Sequence, residues 1–415
     1  MRWLGLAIGL TLFAAIASQL SLRDTDVAVY LKAAERVFEQ GIDPYPRGAE
    51  DQLPFTYPPT ALFLFYTLVD LTLAQAKVLL SAINVALVPA VMILIVGDLA
   101  RASPSTAGAR RLLLWGPIYI ACYGGLYLNL IFCQINVILL LVLWGFWRRV
   151  RLGRAGASAG AALVLGSVAK PHVGLLLLAA GPRPGWRLVG GVVAAGLVLL
   201  LIAWWLAPVG SWGSWLALVP GNSSYHGLPD GHSSIAAPWN RSIAGSVARF
   251  LVPSKFSAIW LDAPGLAQGI STAIVLLLLT VTGWTLFRSM RRVERAAADR
   301  DLEMSLILLW VFFAAPASWT HHLVLLLPAA LVLLRDSVLE PDLTLVSRMT
   351  AGLVLLVIAA TLDDLVPLPV RTASQPMMAL MTIGLLSLWL LLIQALTRRS
   401  ARNSIWIGKP SHDLE

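Results

Sequence analysis

Apolar runs separated by short polar interruptions dominate this chain. Runs at roughly 3–20, 74–97, 112–128, 131–147, 188–207, 269–287, 303–318, 349–366 and 376–396 approach the length of about 20 residues that a spanning helix needs. Three others are short: 157–169 and 172–181 flank Lys170-Pro171, and 322–335 follows His321-His322. If these three cross as short or tilted helices, the pattern predicts twelve spans. Residues 58–71 are apolar as well, but a thirteenth crossing there would invert the sidedness of every later loop. They read as a re-entrant or interfacial segment on the outer side, and non-helical backbone at membrane depth is tolerated only when packed in protein or lining a wet cavity.

Two stretches between runs are long, 21–57 and roughly 208–268. In the first, Val27, Tyr30, Leu31, Ala34, Val37 and Phe38 recur near a period of 3.6, with Lys32, Glu35, Arg36 and Glu39 on the other side. This predicts an amphipathic helix over 26–40, lying on the outer membrane face and capped by Gly41. The second is rich in Gly, Pro, Ser, Asn and Trp, with no strand pattern long enough for a separate domain. The chain reads as one integral membrane domain over 1–397 and a basic cytoplasmic tail over 398–415.

Composition agrees. Of 415 residues, 58% are hydrophobic and 13% charged, with mean hydropathy +0.77. A soluble domain carries about 25% charged residues, so a soluble enzyme and a nucleic-acid binder are both excluded despite the net charge of +9. Most Lys and Arg residues fall in alternate loops, among them the Arg148–Arg154 cluster and the stretch from Arg288 to Arg300. The positive-inside rule then puts both termini in the cytoplasm. Met1-Arg2 and the run to Leu20 resemble a signal peptide, but no small-residue cleavage site precedes Arg23, so this run is expected to stay as the first span. Cys122 and Cys133 lie in apolar stretches, which argues against a disulfide framework or a cysteine metal site.

The candidate chemistry gathers on the outer side. Asp24 and Asp26 precede the amphipathic helix. A carboxylate there is an ordinary N-cap, but two acids two residues apart cannot cap the same turn, so one is available as a general base. Phe55-Thr56-Tyr57-Pro58-Pro59 is either a proline-stiffened loop or a wall presenting rings to a sugar or lipid. Gln134 and Asn136 are amides in an apolar run, and they either bridge helices or hold a polar substrate. Lys170-Pro171-His172 interrupts a hydrophobic segment. Lys170 either snorkels or, with His172 and free backbone N–H groups, receives an anionic phosphate. Asn240-Arg241-Ser242 and Arg249 lie in the second loop, where Arg249 would neutralise a lipid phosphate or bind headgroups. His321 and His322 are adjacent and point to different helix faces, which is not the spacing of a metal pair, so no metal is expected.

Five segments together resemble a known family: DTDVAVYLKAAERVFEQGIDPYP, FTYPP, QINVILL, WNRSIAGSVARFL and SWTHHLVLLLPA. In this order and on one membrane face, they are similar to the membrane-embedded GT-C glycosyltransferases. More narrowly they resemble family 87, which includes polyprenol-phosphate-mannose-dependent α-(1→2)-mannosyltransferases. The resemblance implies an all-α polytopic GT-C-like fold. It also implies inverting transfer of a hexose, mannose first, from a polyprenyl-phosphate donor to a glycan or glycolipid acceptor on the outer face of a bacterial cell membrane. No cofactor is implied. By motif position the base falls on Asp26, in the D-x-x-x-Y pattern ending at Tyr30, with Asp24 as the backup. His321 or His322 would lie near the acceptor or leaving phosphate, and Tyr30, Tyr57, Gln134, Asn136, Lys170, His172, Asn240 and Arg249 would contact substrate. Two departures, Cys133 for a common Gly and Arg241 for a common Gln, bear on the substrate more than on the fold. Competing readings are a transporter or flippase of polyprenyl-linked sugars, and a surface-polysaccharide ligase or polymerase.

Overall fold

A computed structural model describes residues 26–45, 54–103, 105–181, 184–221, 224–226, 234–254, 256, 259–292, 295–361 and 375–407. The expected first span, Asp24 and the end of the tail lie outside these. Among the described residues the fold is helical, and the extended structure is one isolated bridge between Asn240 and Trp319.

The amphipathic helix is present as α1 (Asp26–Ala34), extended by a π turn over Glu35–Glu39. Val27, Tyr30, Ala33, Ala34 and Val37 are buried, while Glu35 and Glu39 are exposed. It ends as the sequence suggests. Gly41 takes a left-handed φ of +64°, and the Ile42 N–H reaches back to the Arg36 carbonyl at 2.8 Å, a closure only glycine makes without strain. The 58–71 piece is a ten-residue 3-10 helix, Pro59–Leu68. At about 2 Å per residue it rises roughly 20 Å, short of the ~30 Å hydrocarbon layer.

The remaining elements are of two kinds. Long helices include α2 (Leu73–Arg101), α7 (Trp186–Leu206), α10 (Pro264–Met290) and α14 (Gln375–Ile407). Short or broken ones are α3 (Thr106–Ala121), α4 (Gly124–Ile131), α5 (Asn136–Arg151), α6 (Ala157–Gly166) and the 3-10 segment Pro171–Ala180. In the second long stretch lie α8 (Ser211–Gly221) and α9 (Ile243–Leu251), followed later by α11 (Ala297–Ala314), α12 (Thr320–Val338, beginning as 3-10) and α13 (Leu345–Ala360). Five described helices are long and apolar enough to cross a membrane, or six if α3 and α4, bent by 42°, form one span. In α2, α7 and α10 only 17–22% of the most apolar stretch is buried, whereas in α12 it is 83%. The long helices therefore present their sides outward, and α12 is central.

Boundaries differ from the apolar pattern in an informative way. The runs 112–128 and 131–147 are interrupted not between 128 and 131 but at Cys122-Tyr123 and over 132–135. The polar residues nearby, Asn129, Gln134 and Asn136, are isolated amides among apolar neighbours, so mean hydropathy does not mark the breaks. Residues 157–169 and 172–181, expected as two short crossings, form a hairpin with Lys170 at its apex. Gly153, before α6, approaches the Arg300 guanidinium, and Gly181, after the second leg, approaches that of Arg295, so both legs return to one end. The legs are about 15 and 20 Å long, so the apex stops at depth. α6 packs on α7 backbone to backbone: a Cβ on Gly191 would sit 2.1 Å from the Ala157 carbonyl oxygen.

The end opposite Lys170 is tied by buried ions. Asp301 (α11) accepts from Arg335 (α12) at 2.7 Å, from Arg151 (α5) at 3.1 Å, and from the Trp147 indole at 3.0 Å. Arg335 also grips Asp336 with two bonds of 2.9 Å, and Arg399 of α14 reaches Asp336 at 2.8 Å. Read as loop charges, Asp301 and Arg335 are instead 0% and 2% exposed.

Candidate active site

Five segments converge at the other end of α5, α11 and α12. Asp26 opens α1, and Tyr30, one turn on, shares its face. Gln134 sits in the break before α5. Its side-chain Nε2 donates to the Asp26 carboxylate, while its Oε1 accepts from Tyr30 at 2.8 Å and Tyr57 at 3.0 Å. Two hydroxyls on Oε1 fix the amide's orientation, because the nitrogen must then face the carboxylate. Tyr57 is steadied by Tyr45, whose hydroxyl donates to its carbonyl at 2.7 Å, and its ring stacks on Phe65, as does that of Tyr30. Burial pushes Asp26 up to about 6, against the Gln134 hydrogen bond and the charge of Lys170, which both hold it down.

Lys170 faces this carboxylate from the hairpin apex. It is 4% exposed, its Nζ lies 3.0 Å from His322 Nε2, and it stands over the Tyr57 ring, 5.2 Å from the centroid. Burial lowers Lys170 to about 7, with Asp26 opposing. His322 Nδ1 accepts from the Trp319 N–H at 3.3 Å. A neutral ring in that state carries its proton on Nε2, toward the amine, so charging Lys170 and reorienting His322 are linked. His321 stands edge-on to His322 with centroids 4.6 Å apart, and its carbonyl accepts from Asn136 Nδ2 at 3.4 Å. Asn136 Oδ1 is buried and has no partner among the described residues. His172 is exposed in the first turn after Lys170.

The second long stretch holds the histidines in place. Arg241 N–H donates to the Ser318 carbonyl at 2.7 Å, and Thr320 N–H donates to the Trp239 carbonyl at 3.0 Å. Asn240, expected at the substrate, is wholly buried as a cross-brace. Its Nδ2 donates to the Ile235 and Pro316 carbonyls, both at 3.0 Å, and its Oδ1 accepts from Ser318 N–H at 2.9 Å. Arg249, expected at a lipid phosphate, is also at zero exposure. It donates to the Ala237 carbonyl at 3.1 Å, the Asn240 carbonyl at 2.8 Å and Ser246 Oγ at 3.1 Å. Both expectations are corrected for one reason: a loop folded inward has backbone carbonyls that need donors more than a ligand does.

Asp26, Tyr30, Tyr57, Gln134, Asn136, Lys170, His321 and His322 thus come together, whereas Asn240 and Arg249 brace the periphery. Among the described residues, no three His, Cys, Asp or Glu side chains gather as a metal-binding group. Missed from the sequence were Asn84 and Asn129, two amides behind Gln134. Asn84 carries the same signal as Gln134, a lone amide in an apolar run.

The profile of glycosyltransferase family 87 matches residues 55–316. The match takes in Tyr57, Gln134, Asn136 and Lys170. It starts after Asp26 and stops before the histidine pair. The chain is similar to the polyprenol-phosphate-mannose-dependent alpha-(1-2)-phosphatidylinositol mannoside mannosyltransferase of Mycobacterium tuberculosis, 30% identical over 294 residues. These are 68% of this chain and 62% of that protein, so the chain spans under two thirds of its relative's length. No solved structure matches.

Proposed function

We propose a reaction for this chain, which belongs to glycosyltransferase family 87. It transfers a hexose, mannose by analogy with its mycobacterial relative, from a polyprenyl-phosphate donor to a hydroxyl of a glycan or glycolipid acceptor. The observation that carries this is a carboxylate and an amine, Asp26 and Lys170, brought into one cluster from distant segments: Gln134 links Asp26 to Tyr57, and Lys170 stands over the Tyr57 ring beside His322.

The roles follow from the chemistry. Asp26 accepts the proton of the acceptor hydroxyl as its oxygen bonds the anomeric carbon. The bond from that carbon to the phosphate oxygen breaks on the opposite face, and its electron pair leaves with the polyprenyl phosphate. Attack and departure on opposite faces invert the centre. The phosphate gains one negative charge in the step, and Lys170, protonated, offsets it where water is excluded. His321 and His322 stand beside it as donors, and Asn136 Oδ1 is an acceptor left for a sugar hydroxyl. Gln134, Tyr30 and Tyr57 hold the base.

The topology that fits this keeps both termini in the cytoplasm and the Asp26–Lys170 cluster toward the outer side, with the 157–181 hairpin replacing two of the twelve expected crossings and so leaving the sidedness of later loops unchanged. α5 from Asn136 to Arg151 rises about 22 Å. If the ion network marks the inner boundary, the pocket is sunk below the outer edge of a ~30 Å hydrocarbon layer. The phosphate of a lipid donor would then be drawn below the headgroup plane to meet Lys170.

The test is Asp26→Asn, purified in lipid nanodiscs and supplied with polyprenyl-phosphate mannose. Loss of transfer with the fold intact supports the base assignment, and wild-type transfer ends it. A wild-type protein that moves lipid-linked sugar across vesicles, yet transfers none from mannose, glucose or arabinose donors, makes the transporter reading the better one.

A further inference from the structure

Gln134 holds the base, and something must hold Gln134. It sits in a four-residue break, where no helix fixes the main chain. Asn84 on α2 and Asn129 on α4 are both at zero exposure. Asn84 Nδ2 donates to the Gln134 carbonyl at 3.0 Å, and Asn129 Nδ2 donates to the same oxygen at 3.3 Å. Asn129 Nδ2 also reaches Asn84 Oδ1 at 3.3 Å, and the Gln134 N–H donates to the Asn129 carbonyl at 2.9 Å. The residue before, Cys133, is held at a left-handed φ of +50°, which side chains seldom adopt. Its Sγ lies 3.3 Å from the Ser81 hydroxyl, on α2 one turn before Asn84.

Each of these features is unfavourable alone. A buried amide that loses its partners is destabilising, and so is a non-glycine residue held in a sparse backbone region. Here they act on one peptide unit. With its N–H, its C=O and the preceding φ all fixed, the Gln134 side chain is left with only a few staggered rotamers. The one it adopts reaches Asp26, Tyr30 and Tyr57 at once.

We propose that Asn84 and Asn129 are positioning residues for the transfer reaction: by clamping the Gln134 carbonyl they aim its side-chain amide at Asp26. They touch no substrate. The inference rests on the reading of Asp26 as base.

The test measures kcat and donor KM from pH 5 to 9 for Asn84→Leu, which keeps the branching at Cγ and loses the donor, and for Asn129→Leu. Asn84→Ser is the milder variant should either fail to fold. The clamp predicts kcat at least tenfold lower, KM within twofold of wild type, and an acid limb moved to higher pH, because the Gln134 hydrogen bond that holds Asp26 down is weakened. In a Gln134→Ala background, Asn84→Leu should change kcat by less than twofold further. If the Gln134→Ala rate is below detection, the acid limb alone decides. An unmoved acid limb, or the full loss repeated in the Gln134→Ala background, overturns the clamp in favour of plain packing. If Asp26→Asn is inactive while Asn84→Leu behaves as wild type, the clamp alone fails. If Asp26→Asn is active, the reading beneath it fails.

Discussion

Two polar clusters sit inside this apolar protein, and α5, α11 and α12 run between them. At one end Asp301, Arg151, Arg335, Asp336 and Arg399 are interlocked, with contacts of 2.7–3.1 Å. At the other, Asp26 and Lys170 face each other without a direct bond, each held by neutral groups. Lys170 is as buried as Arg151, each 4% exposed, while Asp26 is partly buried. The first cluster satisfies its charges internally, whereas the second keeps a carboxylate and an amine near their ionisation midpoints. Buried charge alone therefore does not mark a site. What marks it is charge whose best partner is absent from the protein.

The sharpest way to break this contrast is to delete a carboxylate from each end. Asp26→Asn is expected to lower kcat by about 10²–10⁴-fold, the range of a lost general base. Asp301→Leu should leave the turnover of folded molecules within a fewfold of wild type. Equal activity losses would erase the distinction. Next in size is stability, read as the shift in a detergent or denaturant midpoint. Asp301→Leu strands the buried Arg151 guanidinium and leaves Arg335 with Asp336 alone, and should cost about 3–5 kcal/mol.

At Asp26 the sign reverses. Asp26 has a folded value of about 6 against 3.8 in the unfolded chain, so its ionisation weakens the fold as pH rises through that window. Asp26→Asn should thus be more stable than wild type by up to about 3 kcal/mol at pH 8, with the gain gone below pH 4. A variant destabilised at pH 8 would contradict this. The smallest effect is in the pH profile of kcat/KM. Activity should fall below pH 6 as Asp26 gains its proton, and above pH 7 as Lys170 loses its own. Under donor saturation the alkaline limb should move upward, because a bound phosphate favours the ammonium. An alkaline limb that does not move would remove Lys170 from the phosphate.

Much of the outer cluster was legible. Gln134 and Lys170 stand out because a polar group in an apolar run needs a reason, and Asp26 because it opens a periodic helix ended by Gly41. The same logic flagged Asn240 and Arg249, yet both brace backbone carbonyls, since a pattern shows that a polar group is buried but not which acceptor it meets. Asp301 and Arg335 each lie at the edge of an apolar run, where solvent and a buried partner leave the same trace in a sequence. The break at 122–123 left no trace, because the residues around it are as apolar as the helices it divides; the break at 132–135 holds Gln134, but one amide in an apolar run does not by itself mark a helix end.

The sequence by itself determined the membrane class, the helical content, the amphipathic first helix and the short roster of groups able to do chemistry at depth. These depend on hydropathy and periodicity, which are read within one or two turns. Only the tertiary structure decided which charges cancel and which stay poised. Lys170 meets His322 across 152 residues, and Asp26 meets Gln134 across 108. Pairings over such separations are set by where helices stop and how closely their backbones approach, and no local pattern records either.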